Sequence, residues 1–175
     1  NSSFYFFIFL QQWFKLYLMS YVRELAKELL EVDLPRASSP VASYKSFQAS
    51  SEKILFISGQ LPMEDGKLML EGIVGEDLSL EEAEACARQC AINILSQIDK
   101  YLDENGGKVS KILQLSGFVA SNKNFTQHPK VINGASNFLN SVLGEAGKHS
   151  RQAVGVPSLP LNAPVEISAI LEIDN

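Results

Sequence analysis

Arg151 opens an apolar run, Arg151 to Val156, beside glycines, where a core position would carry no charge. A guanidinium is a planar fork that matches a carboxylate through two parallel hydrogen bonds, so the position suggests a carboxylate clamp. An ion pair at a sheet edge or subunit contact is the alternative. Glu166 interrupts the last apolar run, Val165-Glu166-Ile167, in the same way. If the two final strands pair, this carboxylate and the Arg151 guanidinium would face one cleft. Ser58-Gly59-Gln60 closes another strand pattern, and a glycine there marks close approach of a ligand or a plain terminating turn. Cys86 and Cys90 lie four apart in a helical pattern, which fits neither a disulfide framework nor a CxxC site. They read as small core residues of a reducing compartment. His128 and His149 lack any metal-ligand spacing, so no metal site is expected.

The elements that must position these residues follow from periodicity and punctuation. Tyr21 to Glu31 places Val22, Leu25, Leu29 and Leu30 on one helical face, and Asp33, Pro35 and Pro40 end it. Tyr44 to Ala49 and Ile54 to Ser58 read as a hairpin, and Lys67 to Val74 as a returning strand after the turn Glu64-Asp65-Gly66. The longest helix starts at Ser79, with Glu82 completing a capping box, and runs to about Glu104 before Asn105-Gly106-Gly107. Lys111 to Ala120 is a strand, Pro129 to Val142 a second major helix, and Arg151 to Val156 and Val165 to Ile173 the closing strands. The order β-β-β-α-β-α-β-β after a leading helix predicts an α+β layer, with both long helices on one sheet face.

The chain has 175 residues, a formal net charge of −5, 46% apolar and 20% charged residues, as in one ordinary soluble domain. The acidic balance argues against a nucleic-acid groove. Half of the aromatic residues lie before Met19, Trp13 among them. That run is shorter than the roughly 20 residues a spanning helix needs and lacks a secretory signal's basic start. Residues 1 to 18 are therefore read as a non-native or dispensable extension, and 19 to 175 as the single domain. The competing reading of the extension is a membrane-surface anchor.

Ile54 to Pro62 (ILFISGQLP), Ala91 to Leu95, Gly117-Phe118-Val119, Asn133, and Arg151 followed by Leu159-Pro160 and Val165-Glu166-Ile167 together resemble the Rid family, also called YjgF-like or L-PSP-like. The resemblance spans Met19 to Asp174 and points to a divergent branch. It implies a chorismate-mutase-like fold, a mixed sheet with two long helices on one face, in a homotrimer with a ligand cleft at each subunit interface. It further implies hydrolysis of reactive 2-imino or enamine acids to 2-keto acids and ammonia in the cytoplasm, with no cofactor and no nucleic-acid or membrane partner. On this chain Arg151 would bind the substrate carboxylate and Glu166 would orient or activate water. Tyr44, Ser58, Gly59 and Asn133 would line the cleft, with Ala153 where the family commonly has cysteine. Gly147-Lys148-His149-Ser150 departs from the commoner Pro-Ala-Arg approach, which makes His149 a branch-specific candidate for the cleft. The other functions implied are a non-enzymatic small-carboxylate-binding or regulatory trimer and an L-PSP-type endoribonuclease.

Overall fold

A computed structural model describes residues 21–39, 43–50 and 53–174. The proposed extension, residues 1 to 18, lies outside them. The elements are α1 (Tyr21–Leu30), β1 (Phe47–Ser50), β2 (Ile54–Gln60), β3 (Met63–Glu64), β4 (Lys67–Leu68), α2 (Leu80–Asn105), β5 (Lys108–Ala120), α3 (His128–Leu143), β6 (Ser150–Val156) and β7 (Val165–Asp174). The main sheet has the order β1-β2-β7-β5-β6. Its neighbours are antiparallel except β5 and β6, which are parallel and therefore need the crossover that α3 provides.

Two-residue alternation decides what each face of the sheet can bury. Along β7, Val165, Ile167, Ala169, Leu171 and Ile173 are buried while Glu166, Ser168, Ile170 and Glu172 are partly exposed. The buried set packs under α2, whose Cys86, Ala87, Cys90, Ala91, Ile94, Leu95 and Ile98 recur at helical spacing. Each large side chain withdrawn from water here stabilises the fold by roughly 1.5–3 kcal/mol. With α3 packed on β5 and β6, both long helices cover the same face. The other face stays open in the single chain: Phe56 and Val154 on it are 43% and 44% exposed.

Helix α2 begins as its capping box demands, with the Ser79 side chain taking the Glu82 amide and Glu82 returning to the Ser79 amide. It ends at Gly106, whose φ of 76° is left-handed and whose N–H reaches the Leu102 carbonyl. Helix α1 buries Val22 and Ala26 against α2 and α3, and Arg23 bonds Asp99 of α2 through Nε at 3.0 Å and Nη2 at 2.5 Å. Leu29, expected on the buried stripe, is 56% exposed, while Leu25 and Leu30 of the same stripe pack against the core. The strand expected over Lys67 to Val74 is limited to Lys67–Leu68. Beyond it Gly72, at φ 123°, turns the chain, and the Asp77 carboxylate takes the Ile73 amide that a ladder would have used.

Candidate functional site

Arg151 lies on the edge strand β6 in register with Leu115, a core residue, so its side chain rises on the helix-covered face. There α3 receives it. Nη1 donates to Ser136 Oγ at 2.9 Å, and Nη2 donates to Asn133 Oδ1 at 2.9 Å and to the Pro129 carbonyl at 3.0 Å. Those bonds occupy three of the five N–H donors of a guanidinium. The helix is brought into place by Gly134, next to Asn133, since a Cβ there would stand 2.0 Å from the Glu84 carbonyl oxygen of α2. Only a glycine allows that crossing. Ala153 lies on the same face in register with Gly117, between Arg151 and Gly155. Gly155 in turn sits beneath His128, whose Nε2 is 3.0 Å from Ser121 Oγ.

Glu166 belongs to a second cluster. Strand β2 is in register with β7 at Ile57↔Ala169 and again at Gln60↔Ile167, so Ser58 and Gly59 together oppose Ser168 as a bulge. The bulge makes room for the Glu166 side chain directly over Gly59: a Cβ added there would lie 1.8 Å from Glu166 Oε1. Among the described residues the carboxylate has no hydrogen-bond or ion-pair partner, and half-burial pushes its pKa up. Ser58 Oγ donates to the Lys45 carbonyl at 2.7 Å, which ties the bulge to the segment carrying Tyr44. Tyr44, adjoining Lys45 in sequence, is 50% exposed.

The structure thus gathers the expected residues into two groups rather than one. Asn133, Ala153 and Arg151 meet on the helix face at the β6 edge. Ser58, Gly59 and Glu166 meet on the open face, with Tyr44 joined through Lys45. The final strands β6 and β7 do not pair, because β5 lies between them. Glu166 is in register with Phe118 on the open face while Arg151 points into α3, so one chain does not place both in a common cleft. Sequence reasoning missed Ser136, which contacts Arg151 directly. Its signal was its position one helical turn after Asn133, on the same side of α3.

The remaining chemistry-bearing residues take structural positions. Cys86 and Cys90 are free and buried. Burial, with a smaller push from Glu82, raises the Cys86 thiol to about 11, and burial raises Cys90 too. Among the described residues no three of His, Cys, Asp and Glu converge as a metal site, and no helix is long and apolar enough to cross a membrane.

This sheet order and helix cover define a fold class that comparison with known proteins confirms. Residues 25–172 match the family described as "YjgF/chorismate_mutase-like, putative endoribonuclease", and the chain belongs to that family. It is 40% identical over 147 residues to Protein TCP17 of Trypanosoma cruzi, covering 83% of this chain and 91% of that one. A RutC family protein of Aquifex aeolicus is 30% identical over 142 residues, covering 80% of this chain and 96% of its own. Among solved structures, the protein Atu1372 of Agrobacterium tumefaciens, described as of unknown function, superposes with a TM-score of 0.78 at 46% identity, covering 87% of this chain and 94% of that chain.

Proposed function

We propose that the protein hydrolyses reactive 2-imino or enamine acids to 2-keto acids and ammonia, in clefts built between the copies of a homotrimer. The observation that carries this reading is the division of the site: a guanidinium held by α3 on one face, and over a bulge on the other a carboxylate without a partner among the described residues. Neither half is a site by itself. Packing the β6 edge of one copy beside the open face of the next brings the halves together and covers Phe56, Phe118, Val154 and Ile170. Closed rings of this kind are a common route to burying such a face.

In the joined cleft, Arg151 and Asn133 hold the substrate carboxylate, which leaves the imine carbon toward Glu166 of the neighbouring copy. A water oxygen attacks that carbon, the C=N electron pair moves to nitrogen, and Glu166 takes the water proton and returns a proton to nitrogen. Glu166 then carries the hydroxyl proton of the resulting carbinolamine to nitrogen, the C–N bond breaks as the oxygen's electron pair forms the C=O bond, and ammonia leaves with the 2-keto acid as co-product. No electron donor or acceptor is needed. The imine is already electrophilic, so positioning contributes most of the acceleration. The raised pKa of Glu166 suits a group that must both accept and return a proton near neutrality.

The test is ammonia release from a 2-imino acid generated freshly from its amino acid, measured against spontaneous hydrolysis, with mass determined by light scattering in the same buffer. Turnover above background by a particle of three chain masses is the expected result. Binding of a 2-keto acid without turnover would instead assign a small-carboxylate-binding or regulatory trimer, and a single-chain mass would remove the interfacial cleft.

A further inference from the structure

Behind Arg151 lies a chain of hydrogen bonds that the residues contacting a ligand do not require. Arg151 Nη1 is 2.9 Å from Ser136 Oγ, Ser136 Oγ is 2.9 Å from His149 Nε2, and His149 Nδ1 is 2.5 Å from the Gly147 carbonyl oxygen. For a neutral imidazole, donor and acceptor roles follow by elimination. A guanidinium only donates and a carbonyl only accepts, so Ser136 Oγ accepts from Arg151 and His149 carries its proton on Nδ1. The neutral Nε2 then accepts the one hydroxyl proton Ser136 has to give. Every group donates in the same direction, from Arg151 through Ser136 and His149 to Gly147.

The far end of the chain is rigid. Gly147 is buried, and a Cβ on it would lie 2.5 Å from the Leu139 carbonyl oxygen, so the turn carrying it is pressed onto α3. We propose that His149, acting through Ser136, is a positioning residue that fixes the Arg151 guanidinium for carboxylate binding. This rests on the carboxylate-clamp reading above and extends it to two residues that need touch no ligand. Charge favours the neutral imidazole the chain requires. Burial, and then repulsion from Arg151, lower the His149 pKa against the opposing bond to Gly147. The other charged groups of that turn, Glu145 and Lys148, are exposed and pair with each other at 2.6 Å, and α3 presents the uncharged Ser136 to the ring.

Two measurements on the full chain test the proposal. Imidazole nitrogen NMR of histidine-labelled protein at pH 8, with the His149 signals assigned from His149→Gln, should show the Nδ1–H tautomer. An Nε2–H tautomer overturns the chain whether or not any ligand binds. Calorimetry with 2-oxobutyrate should then show Ser136→Ala and His149→Phe each weakening affinity about tenfold, within the range for the loss of one hydrogen bond. The double variant should be no weaker than Ser136→Ala alone, because its second change acts only through the first. His149→Gln, whose side-chain oxygen can take the Ser136 proton, should recover most of the affinity lost in His149→Phe. Additive losses, or unchanged affinity in Ser136→Ala, overturn the positioning role while leaving the clamp intact. Failure of the wild-type chain to bind 2-oxobutyrate overturns the clamp and the positioning role together.

Discussion

The two halves of the proposed site are built on opposite physical plans. Arg151 is held at three points by α3 and the ring of His149 stands behind one of its partners, Ser136, so its guanidinium is fixed before any ligand arrives. Glu166 has no partner among the described residues and lies on a face that the single chain leaves open, constrained chiefly by the shape of the Gly59 bulge. A binding group gains from being held, because less freedom is lost when the ligand docks. A group that takes up and returns a proton gains from an environment that brings its two protonation states closer in energy, and an unpaired, half-buried carboxylate has that property. On the proposed function, binding falls to the first half and proton transfer to the second.

The largest effect should come from combining the halves. If each cleft takes Arg151 from one copy and Glu166 from its neighbour, the separately inactive variants Arg151→Met and Glu166→Gln should regain activity after being unfolded together and refolded. Random assembly gives about a quarter of clefts with both native residues, so roughly a quarter of the wild-type rate is expected. Mixtures that remain as inactive as their components would mean that the two residues do not serve a common interfacial cleft.

Next in size is the carboxylate itself. Glu166→Gln keeps the shape and removes the proton acceptor, so turnover should fall by about 10² to 10⁴ while 2-keto acid affinity changes little. Gly59→Ala attacks the same group indirectly. The added methyl must displace the end of the Glu166 side chain, which is flexible, so the fold should lose no more than about 1 kcal/mol while turnover drops on the order of tenfold. A fully active Gly59→Ala with the thermal midpoint of wild type would show that the position of this carboxylate does not matter.

The binding half should respond in the other parameter. Arg151→Lys keeps the charge but loses the planar fork and cannot reproduce three fixed bonds, so 2-keto acid affinity should weaken roughly 10- to 100-fold by calorimetry. Turnover at saturating substrate should fall less. Equal affinity in the lysine variant would mean that charge alone, rather than a positioned fork, attracts the ligand.

Much of this frame was legible in the sequence because it rests on local signals. The Ser79 and Glu82 capping box, the glycines after Asn105, and the closing apolar run Val165 to Ile173 each specify an element from a few neighbouring residues. What escaped depends on distant pairing. Nothing local shows that β5 inserts between β6 and β7 and holds Arg151 and Glu166 a strand apart, nor which registers set the two on opposite faces. The loss of the strand beyond Leu68 has a nearer origin, since the run Met69 to Val74 looks extended until Gly72 turns the chain and Asp77, only four residues on, takes the Ile73 amide. Ser136 was hidden for another reason: a serine inside a helix carries no signal until the strand residue facing it is known to be arginine.

The smallest effect is on stability, and its sign tests whether Glu166 stays unpaired once the chains assemble. Burial raises its folded-state pKa above the unfolded value of about 4.3. For a carboxylate this means the charged form is disfavoured in the fold, so stability is lowered above the folded pKa and recovered as pH falls through it toward the unfolded value. Glu166→Gln, which is never charged, should therefore melt above wild type at pH 8, and the gap should close toward pH 4 at matched protein concentration. A gap that persists unchanged at pH 4 would trace to packing instead of ionisation. If wild type melts higher at pH 8, assembly has given Glu166 a cationic partner, with Arg151 of an adjoining copy the first candidate. The two halves would then be paired with each other in the empty cleft, and a substrate carboxylate would have to displace Glu166 before binding.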